Sequence, residues 1–254
     1  MRSLDLSSYF VRSRARSRAS TLLSVLCLVV LSSSAAHAGG RGQWQWLEEK
    51  RGIQLWALEV PGQSLPGFRG NTKIKGSIAQ IASEMLDAPH HTEWMHRCAE
   101  SWVYQRTSET RGVLYNRTSS APWPVWDRDV VLDVQFDYAP DQKALTVRFK
   151  NLDNLLRPVP ERVVRMPKLA GFYKMVQVEP NLTNVTYQVE VDVGGSIPDW
   201  IAEEVAKDLP YYTLLSLRER VEGIAEEVPA LPVVPAVAVE LPPKHAQDLQ
   251  AANN

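Results

Sequence analysis

The sequence predicts an α+β domain: a long meander of antiparallel strands that ends in one amphipathic helix. Three observations carry this. Short segments of alternating apolar and polar residues, bounded by turn residues, recur between Ile53 and Val193 without a repeated strand–helix–strand unit. The longest run of helical periodicity comes last, with Trp200, Ile201, Val205, Leu209, Leu214, Leu217 and Val221 as its apolar positions. The segment after Arg128 carries Val130, Leu132, Val134 and Phe136 on one face and Asp129, Val131, Asp133, Gln135 and Asp137 on the other.

Residues 1–38 stand apart. Arg12, Arg14, Arg16 and Arg18 precede an apolar run from Thr21 to Leu31, and Ala36-His37-Ala38 follows. A basic region, a short apolar core and a small-x-small site predict a secretory signal peptide cleaved after Ala38. The apolar run is too short to span a bilayer well. Export, into the periplasm of a Gram-negative cell, is the expected destination.

The elements follow in order. Trp44 to Lys50 reads as a short helix with Trp46 and Leu47 buried, and Ile53 to Val60 as a strand ended by Pro61-Gly62. Phe68 to Gly76 is a second strand. Ser77 then caps a helix whose Ile78, Ile81, Ala82 and Met85 share a face. A further helical stretch is expected around Thr92 to Cys98. Strands follow at Trp102–Arg106, Gly112–Ser119, Asp129–Tyr138, Ala144–Asn151, Arg162–Met166, Phe172–Val178 and Val185–Val193. Gly194-Gly195 breaks the last strand, and Pro198 opens the long helix, which runs to about Gly223 with Pro210 inside it. Residues 228–254 hold five prolines among Ala and Val and read as a disordered or extended tail. Residues 39–227 are therefore the expected domain.

Composition excludes some functions. Of 28 basic and 29 acidic residues, five arginines and one aspartate lie in residues 1–38, leaving 23 and 28, a net charge of −5. That balance, with no basic face, argues against nucleic-acid binding. Cys98 is the only cysteine after residue 38, so no internal disulfide is expected. His90, His91, His96 and Cys98 have metal-ligand chemistry but match no zinc spacing, so solvent-exposed histidines and a half-buried thiol are expected, with no metal or other cofactor. Asp127-Arg128-Asp129 reads as a trio that pins a loop through Arg–carboxylate bonds. No Ser-His-Asp set, phosphate-binding glycine loop or nucleophile elbow is present, and no catalytic residues are expected.

Several segments resemble the START (StAR-related lipid-transfer) domain family. They are Asp87 with Glu93-Trp94, the proline-rich loop from Ala121 to Arg128-Asp129, Val164-Arg165, the stretch from Asp192 through Gly195, Ile197 and Pro198 to Trp200, and Leu215 to Arg218. The resemblance covers roughly residues 44–223. It implies a helix-grip fold, a curved antiparallel sheet of about nine strands wrapped around a long C-terminal helix, with an apolar tunnel between them holding one lipid.

The proline-rich loop and last helix would gate that tunnel, through Trp123, Pro124, Trp126 and Arg128, with Trp123 and Trp126 available for transient membrane contact. Its expected ligand-binding residues are Val113, Tyr115, Arg117, Val130, Leu132, Val134, Phe136, Val147, Tyr187, Val189, Trp200, Val205 and Leu209. Tyr115 and Arg117 are the candidates for the few polar groups, with an exposed, salt-bridged position as the alternative for Arg117. Family members that carry an arginine six residues after the loop arginine meet a phosphate or buried acid there; here the position is Val134, which implies no anionic head at that point. The expected partner is a lipid or another hydrophobic molecule, bound by a monomer. The superfamily also includes cyclases and hydrolases, so an enzyme acting on a hydrophobic substrate is the alternative.

Overall fold

The computed structural model describes residues 42–63, 65–120, 125–152, 158–195 and 199–223, with the side chains of the final helix described from Asp208 onward. The expected signal peptide, the tail, Trp123 and Pro124, and the side chains of Trp200 and Val205 lie outside the described residues.

Ten strands form one sheet: β1 (Gln45–Lys50), β2 (Ile53–Leu58), β3 (Gly67–Ile74), β4 (Cys98–Ser108), β5 (Arg111–Thr118), β6 (Asp127–Ala139), β7 (Ala144–Asn151), β8 (Val163–Arg165), β9 (Lys168–Glu179) and β10 (Leu182–Asp192). Helices α1 (Ile78–Leu86) and α2 (His91–Trp94) sit between β3 and β4, and α3 (Asp199–Gly223) closes the fold. The strand order is β1-β2-β3-β10-β9-β7-β6-β5-β4. β8 departs from the antiparallel rule by pairing parallel to the first residues of β6, Asp127 to Asp129.

Alternation fixes which face of the sheet is apolar. One transverse row runs Phe136, Val147, Tyr173 and Tyr187, and the next runs Val134, Phe149, Gly171 and Val189. A Cβ at Gly171 would lie 2.1 Å from the Gln188 carbonyl oxygen, so only glycine allows the β9–β10 approach there. Helix α3 packs on β2, β3 and β10. Leu214 enters the space left by Gly70, where a Cβ would come within 2.5 Å of Leu214 Cδ1. The main core joins Leu214, Leu217 and Val221 of α3 to Ile53, Leu55, Phe68, Val185 and Val189 of the sheet, and to Ile78, Ile81 and Met85 of α1. Ser77 caps α1 as expected, with Gln80 completing a capping box.

Several expectations need correction. Trp44 to Lys50 is not a helix: Gln45–Lys50 is an edge strand on β2, and Trp46 and Leu47 are exposed. Its helix-forming residues yield to pairing with β2, where the Trp46 ring meets Trp56 edge-on at 5.2 Å. The second helical stretch ends at Trp94, and Cys98 already belongs to β4. The expected sheet of about nine strands is otherwise present, with ten strands once the N-terminal segment is included.

Candidate functional site

Between the concave face and α3 lies a cavity of about 190 Å³. This is more than roughly ten times the space one water needs. Val130, Leu132, Val134, Val147, Phe149 and Leu169 line it from the sheet, and Leu209 from α3. Val134, Phe149 and Leu169 each touch two apolar clusters, the main core and a second group formed by Leu65, Val130, Leu132, Met166 and Val191. The hollow therefore sits where those clusters meet without filling the space between them. Tyr173 and Tyr187 also line it, with their rings stacked 4.3 Å apart, and burial pushes both phenols upward.

Six of the expected contact residues thus line the cavity: Val130, Leu132, Val134, Val147, Tyr187 and Leu209. Phe136 and Val189 pack into the adjoining core instead. Val113, Tyr115 and Arg117 are placed on the opposite face, which corrects the expectation for β5. Register sets Leu114 against Leu132, Asn116 against Val130 and Thr118 against Arg128, so these three face the hollow. Tyr115 instead stacks on Trp102 at 4.0 Å in a separate cluster with Val113 and Val131. Arg117 binds Glu100 at 2.6 Å and Asp127 at 2.9 Å. The side of β6 expected to be solvated is buried at this end, because Val131 belongs to that outer cluster and Asp129 is fully buried. Asp129 accepts two bonds from Arg165, at 2.7 and 3.0 Å, and one from the Tyr115 hydroxyl at 3.2 Å.

The Asp127-Arg128-Asp129 trio is accordingly not a mutual clasp. Alternation sends both aspartates outward, to Arg117 and Arg165, and Arg128 inward, to the cavity wall. Arg128 Nη1 donates to the Trp126 carbonyl at 2.6 Å and Nη2 to the Gly194 carbonyl at 3.3 Å. It thereby ties the end of the proline-rich loop to the Gly194-Gly195 break before α3. Trp126 itself is exposed, next to cavity-lining Val125.

The histidines match the expected exposure only in part. His90 is exposed beside Asp87 and Glu93, whereas His91 is only 3% exposed and lines the cavity. His91 Nε2 lies 3.1 Å from the Met85 carbonyl and Nδ1 lies 3.1 Å from Ser101 Oγ. The carbonyl can only accept, so Nε2 carries the proton, and Nδ1 and the Asn116 amide oxygen share the single Ser101 hydroxyl hydrogen. This is the wall's nearest approach to a serine–histidine pair, but Ser101 does not line the cavity, and its other partner is the Asn116 amide oxygen rather than a carboxylate. Cys98 is half-buried, and burial pushes its thiol up to about 11, which keeps it protonated and unreactive. No group of three or more His, Cys, Asp or Glu residues is arranged to hold a metal ion among the described residues.

Burial pulls His91 down to about 4, against the opposing hydrogen bonds of the Met85 and Glu84 carbonyls and the charge of Asp87. When unfolded it takes its proton near pH 6.5. Between these values the unfolded chain binds more protons, so stability is complete above about pH 6.5 and falls as pH drops towards 4, by about 3 kcal/mol. Urea denaturation at pH 7 and pH 4.5 is expected to show this loss in the wild-type chain and a much smaller one in His91→Gln. Equal pH slopes in the two proteins would contradict the buried neutral state of His91.

Comparison with known proteins agrees with this geometry. The START domain family model matches residues 58–211. The uncharacterized protein PA1579 of Pseudomonas aeruginosa is 31% identical over 201 residues, covering 78% of this chain and 98% of that protein. The crystal structure of a STAR-related lipid transfer protein fragment from Xanthomonas axonopodis is 32% identical, covers 70% of this chain and 98% of that one, and superposes with a TM-score of 0.63. Human STARD10, 17% identical, shares the fold with a TM-score of 0.61 over 70% of this chain and 73% of its own. The chain belongs to the START domain family, with the helix-grip fold.

Proposed function

We propose that the chain binds one hydrophobic molecule in the cavity between its sheet and α3 and carries or senses it in the periplasm. The observation that carries this reading is the apolar-walled hollow itself, lined by Leu132, Val134, Val147 and Phe149 and left unfilled by neighbouring core side chains. Relatives of the same family include a protein named as a lipid transfer protein. The pattern of residues 1–38 supports export, and exposed Trp126 beside the cavity wall is suited to transient membrane contact during loading. Binding is favoured over catalysis because, among the described residues, no carboxylate is hydrogen-bonded to His91 or Ser101, and the rest of the wall is mostly apolar. The test is transfer of a fluorescent lipid between donor and acceptor vesicles. Transfer that accelerates in proportion to protein concentration is expected, and an unchanged rate would refute the carrier role.

A further inference from the structure

An entirely apolar guest would leave one feature of this cavity unused. We propose that Arg128 is a subsite for an oxyanion headgroup, carboxylate or phosphate, so that the guest is an anionic amphiphile with its tail directed along β6 towards Val134. This rests on the binding reading above and adds the class of ligand to it.

Arg128 is 93% buried, being 7% exposed, and lines the cavity. A guanidinium has five N–H donors. One on Nη1 and one on Nη2 go to the Trp126 and Gly194 carbonyls, while Nε is buried with no hydrogen-bond partner among the described residues. Neither neighbouring aspartate is hydrogen-bonded to it among the described residues: Asp127 and Asp129 are bonded to Arg117 and Arg165 on the other face, and burial outweighs the favourable charge of Asp127. Nε–H and one hydrogen on each Nη remain, donors of the kind that bind a carboxylate or phosphate. Burying a cation without a counter-ion is costly, and a bound oxyanion supplies one.

The surroundings suit a polar head. Thr118 stands opposite Arg128 in the register, and Thr118, Ser119 and Ser120 all line the cavity. Arg97 joins this end, since its carbonyl accepts from the Ser119 N–H at 2.9 Å and its residue also lines the wall. Asp208 on α3 is the acidic residue of the lining. Towards Val134 the β6 wall is apolar. Six residues of strand separate Arg128 from Val134, roughly 20 Å at about 3.3 Å per residue, a span suited to an extended acyl tail.

The test compares three ligands with one tail, oleate, oleyl phosphate and oleyl alcohol, on the delipidated full chain. At least one of the two anions is expected to bind about ten-fold or more tightly than the alcohol, as a charge-assisted hydrogen bond implies. Whichever anion is preferred identifies the headgroup as carboxylate or phosphate. Arg128→Gln is expected to erase the preference for the anion over the alcohol. Equal affinity of all three for the wild-type chain overturns the subsite and leaves the apolar carrier intact, a comparison that needs no variant to fold. Full preference retained in a folded Arg128→Gln overturns the assignment to Arg128, and failure of all three to bind overturns both readings.

Discussion

Replacing Val134 with tryptophan is expected to abolish ligand uptake while leaving the protein folded. Val134 lines the cavity and touches both apolar clusters that border it. Its register partners are Gly112 on β5 and Phe149 on β7, so a larger side chain there projects across the hollow from the middle of the concave face. In a solid core an indole at this point would cost about 1–3 kcal/mol through overpacking. In a hollow it finds room, and added apolar contact offsets the strain. We therefore expect a loss of affinity for any apolar ligand of about ten-fold or more, with stability changed by less than about 1 kcal/mol. Ligand titration and urea denaturation of the same preparation check both parts. A variant that unfolds readily, or that binds as well as the wild type, would contradict the placement of the cavity.

The second large effect concerns the opposite face. Asp129→Asn is expected to destabilise the fold by about 3 kcal/mol, the cost of breaking a buried ion pair from one side. Asp129 is fully buried and receives both Arg165 nitrogens and the Tyr115 hydroxyl. An amide in its place retains the shape but removes the negative charge that the buried carboxylate presents to the Arg165 guanidinium. The same residue holds β8 against β6, since its carbonyl accepts from the Met166 N–H at 2.9 Å and its Cα stands opposite Arg165. The melting temperature should fall by on the order of 10 °C. A loss under about 1 kcal/mol would mean that the pair is only a surface contact.

These two positions also show how far the sequence could be read. The apolar face of β6, and hence the wall through Val130, Leu132 and Val134, follows from simple alternation, as does the Tyr187 face of β10. Alternation is less decisive in β5, where both faces mix apolar and polar residues: Val113, Tyr115 and Arg117 on one, Leu114, Asn116 and Thr118 on the other. Only the register with β6 chooses between them. The signal was nonetheless present across Asp127-Arg128-Asp129, because consecutive strand residues alternate and neither aspartate can share a face with the arginine between them. The parallel pairing of β8 depends on contacts distant in sequence and leaves no local pattern. β1 was hidden for a related reason, because an exposed edge strand gains its conformation from its neighbour rather than from an apolar face. His91 stands among polar neighbours, His90 and Thr92, and its burial arises from the packing of α2 against β4.

The most direct measurement is native mass spectrometry of the protein isolated from its native cells, followed by solvent extraction and identification of what is released. One hydrophobic molecule per chain, lost on denaturation and absent from the Val134→Trp variant, is the predicted result. A bare polypeptide mass with nothing extractable, in a protein that also takes up no apolar ligand when one is offered, would show that the space between the sheet and α3 has no occupant.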